Sequence, residues 1–190
     1  MAEKQTQKRI RLRELRKTDW KDVHAYASQE STCRFQPWGP NAEEDTLEFI
    51  CQVIKDTKHN PRSRYAFAII EEKDEKLIGV AELNIRDFTN KIGEISYVIH
   101  PDYWGRGYAT EAGGLLLHLG YTVLRLHRIY ATCHPDNEGS ARVLEKLGMT
   151  KEGVLREDLK MGSGWRNSLL FSILEHEWTG IHNVMWCVLE

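Results

Sequence analysis

The stretch Ile99-His100-Pro101-Asp102-Tyr103-Trp104-Gly105-Arg106-Gly107-Tyr108-Ala109-Thr110-Glu111-Ala112 carries the residue types of an anion site. A strand-like run ends at His100-Pro101, because proline constrains the residue before it and donates no hydrogen bond. Glycines at 105 and 107 then open a backbone path closed to other residues, and a helix-forming run begins at once. The amides of residues 106 to 110 can therefore converge on one point. Unpaired N–H groups at a helix start, with the positive end of its dipole, attract a negative group; a pyrophosphate is the natural occupant. The competing reading is a glycine-bearing turn that binds nothing. Two other phosphate loops do not fit, since the G-x-G-x-x-G spacing fails at Thr110 and no Gly-Lys-Ser/Thr follows.

Other elements must hold this turn in place. Ile10-Arg11-Leu12-Arg13 alternates apolar and charged residues as a half-buried strand does. Thr18 is expected to cap a short helix carrying Trp20, Val23 and Ala27. Asn41-Ala42-Glu43-Glu44 has the form of a capping box, opening a helix with Leu47, Ile50, Cys51 and Ile54 on its apolar face. Strands are expected at residues 65–70 and 77–85, joined by a charged hairpin turn, and at 94–99. A helix follows over 108–124, with Ala112, Leu116, Leu119 and Val123 on one side. Arg128–Cys133 reads as another strand, and the next helix is capped by Asn137 and ended by Gly148. Residues 154–159 and 168–174 form a last antiparallel pair around Gly162-Ser163-Gly164. The predicted order is β-α-α-β-β-β-α-β-α-β-β, an α/β chain with a mixed sheet: a hairpin-built half joined to a βαβ-like half.

The 190 residues fit a single domain over 1–190, with a core of about 8–178, a flexible arm at 1–8 and an additional tail at 179–190. With 41% hydrophobic and 28% charged residues, wholesale disorder is excluded. A formal charge of −2 gives no electrostatic footprint for nucleic acid. Cys33, Cys51, Cys133 and Cys187 form no CxxC pair and read as reduced, packing residues of a cytoplasmic protein. The polar start Met1 to Lys8 does not read as a signal peptide, and the most apolar run, 115–124, is too short to span a bilayer. His176-Glu177-Trp178 lacks the H-E-x-x-H spacing because the next histidine is His182, and His100 and His134 precede prolines at strand ends. No metal is expected.

The segment Trp104-Gly105-Arg106-Gly107-Tyr108-Ala109-Thr110-Glu111-Ala112 resembles the acetyl-CoA signature of GNAT acetyltransferases, most closely the ribosomal-protein N-terminal acetyltransferase (RimJ/RimL) type. The general pattern, Gln/Arg-x-x-Gly-x-Gly/Ala, falls here on Trp104 through Ala109, with Trp104 departing from the usual first residue. Asn137-Glu138-Gly139-Ser140, continuing to Leu147-Gly148-Met149, resembles that branch's Asn-x-x-Ser helix. Leu170-Phe171-Ser172-Ile173-Leu174 resembles its closing strand, where Tyr often stands in place of Phe171. Three motifs in register over residues 8 to 178 are more specific than any one alone.

The resemblance implies acetyl-CoA as co-substrate and direct attack of a neutral amine on its thioester, with a peptide or protein N-terminus as favoured acceptor. It implies that the pantetheine arm runs beside Val98 and Ile99, where a backbone amide stabilises the oxyanion. The amides of Arg106, Gly107, Tyr108, Ala109 and Thr110 would hold the pyrophosphate, with Trp104 and Gly105 also at the cofactor. Asn137 would touch the cofactor or simply cap its helix. A base is needed because an α-amine with a pKa of roughly 8 is partly protonated at neutral pH. Glu94 is the candidate, sharing a strand face with Ser96 while Ile95, Tyr97 and Ile99 point away; the alternative is a solvated strand charge. Ser140 is the candidate acid, because the tyrosine that many GNAT enzymes carry seven residues after the Asn is here Leu144; it could equally support the cap. Phe35 and Trp38 could wall the acceptor pocket or anchor the core. Met185, Trp186, Val188 and Leu189 suggest a tail that packs on the core or on a second subunit as a homodimer. The rival readings are a small-molecule acetyltransferase (aminoglycoside, polyamine or amino acid), a non-catalytic acyl-CoA-binding module, and a structural domain with an empty turn.

Overall fold

A computed structural model describes residues 9–162 and 164–180. The expectations for the 1–8 arm, Ser163, and the tail residues His182, Met185, Trp186, Cys187, Val188 and Leu189 lie outside the described residues.

The element order is β1 Ile10–Glu14, α1 Trp20–Ala27, α2 Glu30–Cys33, α3 Glu43–Asp56, β2 Arg64–Glu71, β3 Lys76–Asp87, β4 Ile92–Ile99, α4 Tyr108–His118, β5 Arg128–Cys133, α5 Glu138–Lys146, β6 Thr150–Met161 and β7 Gly164–Leu174. This is the predicted order with one added helical turn, α2, inside the segment expected to be loop. The strands form one seven-stranded sheet in the order β1-β2-β3-β4-β5-β7-β6. Every pairing is antiparallel except β4 with β5, so the sheet is mixed as its pattern required.

Two apolar layers cover the sheet. On one face α4 and α5 pack over Ile95, Ile99, Ile129, Phe171 and Ile173. Leu115, Leu116 and Leu119 are almost fully buried there, each worth about 1.5–3 kcal/mol of transfer free energy. On the other face Val23 and Tyr26 of α1 and Ile50 and Val53 of α3 cover Ala66, Ala68, Ile70 and Val80. The chain leaves α4 through a π-helical turn, Leu119–Val123, where the Tyr121 hydroxyl donates to the Ile173 carbonyl at 2.7 Å.

Local expectations fail in four places. Thr18 caps nothing: it lies in a 3-10 turn, and the Asp19 carboxylate takes the Arg16 amide at 2.7 Å. Helix α3 starts one residue later than the proposed box, where the Asp45 carboxylate accepts the Ala42 amide at 2.8 Å. Its buried face runs through Thr46, Ile50 and Val53, whereas Leu47 and Cys51 are exposed. A polar residue turns inward there because Thr46 is 3.1 Å from His24 Nδ1 on α1, and a partnered hydroxyl tolerates burial. Val123 is exposed, because the widened turn rotates it off the buried side.

Candidate active site

The sheet forks at its one parallel junction. Strands β4 and β5 pair only from Ile92 to Glu94 against Arg128 to Tyr130, yet β4 runs on to Ile99 and β5 to Cys133. Backbone groups alternate sides along a strand. The His100 amide donates to Ile78 on the β3 side, and the Lys91 carbonyl accepts from His127 on the β5 side. By that alternation the N–H groups of Tyr97 and Ile99 face the opening, and the backbone of Val98 faces β3. The fork widens into a cleft of about 1350 Å³, above the usual range for a small-ligand pocket and large enough for a long cofactor with an acceptor beside it.

The glycine turn closes one end of this cleft. Gly105 has φ +74° with no atom within 4 Å of a Cβ built there, and Gly107, the N-cap of α4, has φ +84°. The first-turn amides of α4 have no helical acceptor, and Tyr108, Ala109 and Thr110 line the cleft with Trp104, Gly105 and Gly107. This is a cradle of donors with open space where a Cβ would stand, which suits a pyrophosphate. The Trp104 indole donates to the Ile99 carbonyl at 2.7 Å and so finishes β4. The Arg106 side chain turns away, donating to Asp102 O and lying over the Tyr103 ring. Arg9 fixes the turn from outside, bonding both the Arg106 carbonyl and the Glu111 carboxylate, which also takes the amides of Arg9 and Ile10. The Tyr108 ring is buried, its hydroxyl donating to Glu71 at 3.0 Å.

Across the fork, Asn137 Oδ1 accepts the Ser140 amide at 3.0 Å, so Asn137 does cap α5; it also lines the cleft. Ser140 Oγ lies 3.3 Å from the Tyr97 hydroxyl. Tyr97 was not singled out from sequence. Strand alternation does turn it away from Glu94, but away from Glu94 means toward α5 and the fork. Burial pushes its phenol above the ordinary value, so it stays protonated at physiological pH. Burial likewise raises the thiol of Cys133, at the end of β5.

Glu94 and Ser96 share a sheet face, as read from sequence, with Glu82 of β3 directly opposite Ser96 and Asn84 opposite Glu94. The Glu94 carboxylate is ion-paired with Arg86 at 2.6 Å, at the closed end of the fork. Glu82, Asn84, Arg86 and Ser96 are on the cleft wall, and Glu94 is not among its lining residues. Glu82 is held by Arg64 through two hydrogen bonds of 2.9 and 3.0 Å. Phe35 and Trp38 both line the cleft, Trp38 also packing on the α1–α3 layer. His100 and His134 act structurally, each accepting through Nδ1 the amide two residues on. Among the described residues, no three His, Cys, Asp or Glu side chains are grouped as a metal site requires.

Comparison with known proteins bears on this geometry. The acetyltransferase (GNAT) domain family matches residues 9–150. An uncharacterised N-acetyltransferase, YnaD, of Bacillus subtilis is 34% identical over 91% of this chain and 98% of its own length. Spermidine N(1)-acetyltransferase of Escherichia coli is 28% identical over 91% of this chain and 90% of its own. The crystal structure of ribosomal-protein-S5-alanine acetyltransferase from Vibrio fischeri superposes with a TM-score of 0.75 at 25% identity, covering 90% of this chain and 96% of that one. GNAT enzymes take their acyl group from acetyl-CoA, and a forked sheet ending in a glycine cradle at a helix start has the form such a donor needs. The chain is therefore an acetyltransferase of the GNAT family.

Proposed function

We propose that the enzyme acetylates the α-amine of a peptide or protein N-terminus, taking the acetyl group from acetyl-CoA laid in the β4–β5 fork. The observation that carries the donor half of this reading is the edge of β4 at Tyr97 and Ile99, which β5 leaves unpaired beyond Glu94 and which leads into the glycine turn. The amides at 105–110 hold the pyrophosphate, with Asn137 beside it. An amide at Tyr97 or Ile99 meets the developing oxyanion. The amine nitrogen attacks the thioester carbon, the C–S bond breaks, the amine loses a proton and the thiolate gains one.

Glu94 takes the amine's proton through water, and the Tyr97–Ser140 pair returns one to the thiolate, with the protonated phenol as the donor. A second assignment of the base, to Glu82, has its own support: that carboxylate lines the cleft. Spermidine as acceptor is less well matched. A polyamine needs free carboxylates, and the deep cleft acid Glu82 is held by Arg64, which leaves Asp45 and Asp136 at the wall as the acids a polyamine would have to use.

The test is thiol release from acetyl-CoA against N-terminal peptides, polyamines and aminoglycosides, with Glu94→Gln, Glu82→Gln and Tyr97→Phe beside wild type. Loss of a general base costs about 10²–10⁴-fold in kcat, so the true base is the variant that loses this much with acetyl-CoA affinity intact. Tyr97→Phe is expected to lower kcat with acetyl-CoA affinity intact. Turnover confined to polyamines would overturn the peptide assignment. Tight acetyl-CoA binding without turnover on any acceptor would leave a binding module.

A further inference from the structure

The acceptor end of the cleft holds an arginine, Arg166, that forms no ion pair among the described residues. Arg166 of β7 reaches back across the sheet end, and its Nη1 donates to the Phe35 carbonyl at 2.5 Å. Its Nε is buried and has no hydrogen-bond partner among the described residues. The side chain forms no ion pair with any described carboxylate. Asp158 is the acid that acts on it, from beyond hydrogen-bonding distance, and burial lowers its proton affinity. Thr32 Oγ1, on the same cleft wall, is a second buried polar atom without a partner among the described residues.

A second arginine and a histidine ring flank Phe35. The Arg34 guanidinium lies 5.1 Å from its ring centroid, and the His134 ring is 5.0 Å away. His134 has Asp136 at 3.8 Å. Of the acids on the cleft wall, Glu82 is engaged by Arg64, and Asp136, which shares that wall with Arg166, is exposed and forms no ion pair with it. Arg166 lines the same cleft as the Tyr97–Ser140 pair. A half-buried guanidinium with an orphaned donor is costly unless something supplies the missing charge.

We propose that the acceptor carries a carboxylate close to its reactive amine, and that Arg166 is the specificity residue that pairs with it. This rests on the acetyltransferase reading above and narrows it to acidic acceptors, either a peptide with Asp or Glu next to its N-terminus or a free acidic amino acid. A guanidinium–carboxylate pair in a partly closed site is a charge-assisted, two-pronged contact, stronger and more selective than a neutral one.

The experiment compares kcat/KM on matched tetrapeptides with Asp or Asn, and Glu or Gln, at position two, with free glutamate and spermidine as further arms. Calorimetric binding of the same peptides to the CoA-loaded protein runs alongside. The expected result is at least a tenfold preference for the acid over its amide in both readouts. Arg166→Gln removes that preference and leaves acetyl-CoA affinity unchanged, while Arg166→Lys restores part of it. The relative rates on peptides and free glutamate decide between the two sources of the carboxylate. If the enzyme prefers amides or spermidine, or if Arg166→Gln slows all acceptors equally, the proposal is wrong. Should no acceptor turn over, the acetyltransfer reading fails, and the calorimetric acid-over-amide preference still decides the carboxylate site.

Discussion

Replacing Gly105 or Gly107 with alanine separates what the glycine turn does for the fold from what it does for the donor. Both residues sit in the left-handed region, at φ +74° and +84°, where a Cβ costs about 1–2 kcal/mol. Nothing crowds the new methyl at 105, and at 107 the nearest atom is Arg9 Nη2 at 3.4 Å, an ordinary contact. Strain is then the whole cost to the free protein. For a chain of this size it lowers the unfolding midpoint by about 2–8 °C, taking 2–4 °C per kcal/mol. Acetyl-CoA affinity responds differently at 105, because that methyl enters the open space a pyrophosphate would fill, whereas the methyl at 107 points toward Arg9 on the outside of the turn. A drop of at least tenfold in affinity is expected for Gly105→Ala and little change for Gly107→Ala, by calorimetry or by displacement of a fluorescent CoA analogue. Gly153→Ala is the control, since its Cβ also meets nothing and its φ is ordinary; neither stability nor affinity changes there. If Gly105→Ala loses the expected stability yet binds acetyl-CoA as wild type does, the donor does not lie in this cradle.

Two further outcomes concern the scaffold. Tyr108→Phe keeps the ring and removes the hydroxyl that satisfies buried Glu71 Oε1, so stability falls by about 1–3 kcal/mol in a denaturant titration; an unchanged midpoint would mean water replaces the phenol. Glu152 is held down to about 2 by hydrogen bonds from Arg128 and Ser172. Because its folded pKa lies below the unfolded one, the stability it contributes is full above about pH 4.5 and is lost as the pH falls toward 2. The gap in unfolding midpoint between wild type and Glu152→Gln should therefore be flat above pH 5 and close between pH 4.5 and 2. A gap independent of pH would show that the Arg128–Glu152 pair contributes through packing alone.

Much of the cofactor half was legible along the chain because it is local. A strand stopped by proline, two glycines and a helix start occupy consecutive positions, and a helix's free amides belong to its own first turn. Gly107 at φ +84° and Asn137 bonding the Ser140 amide follow from short-range chemistry alone. Strand alternation likewise placed Glu94 and Ser96 on one face. The buried face of α3 was not legible, because Thr46 faces inward only once His24 on another helix meets its hydroxyl.

The acceptor half belongs to the tertiary structure, and the reason is sequence distance. Arg166 meets Phe35 across 131 positions, Tyr97 meets Ser140 across 43, and Glu82 meets Arg64 across 18. In each case one residue sits on a strand whose neighbour is fixed only by sheet order. Spacing within a segment cannot reveal such pairs. The fork itself is of this kind: β4 and β5 each read as complete strands, and only their shared register shows that they part after Glu94. The sequence by itself determined the glycine turn and the free helix start at α4, where we propose that the pyrophosphate sits, because that geometry is built from neighbouring residues. The folded sheet decided which side chains look into the cleft, which carboxylates are already paired, and that Arg166 forms no ion pair among the described residues.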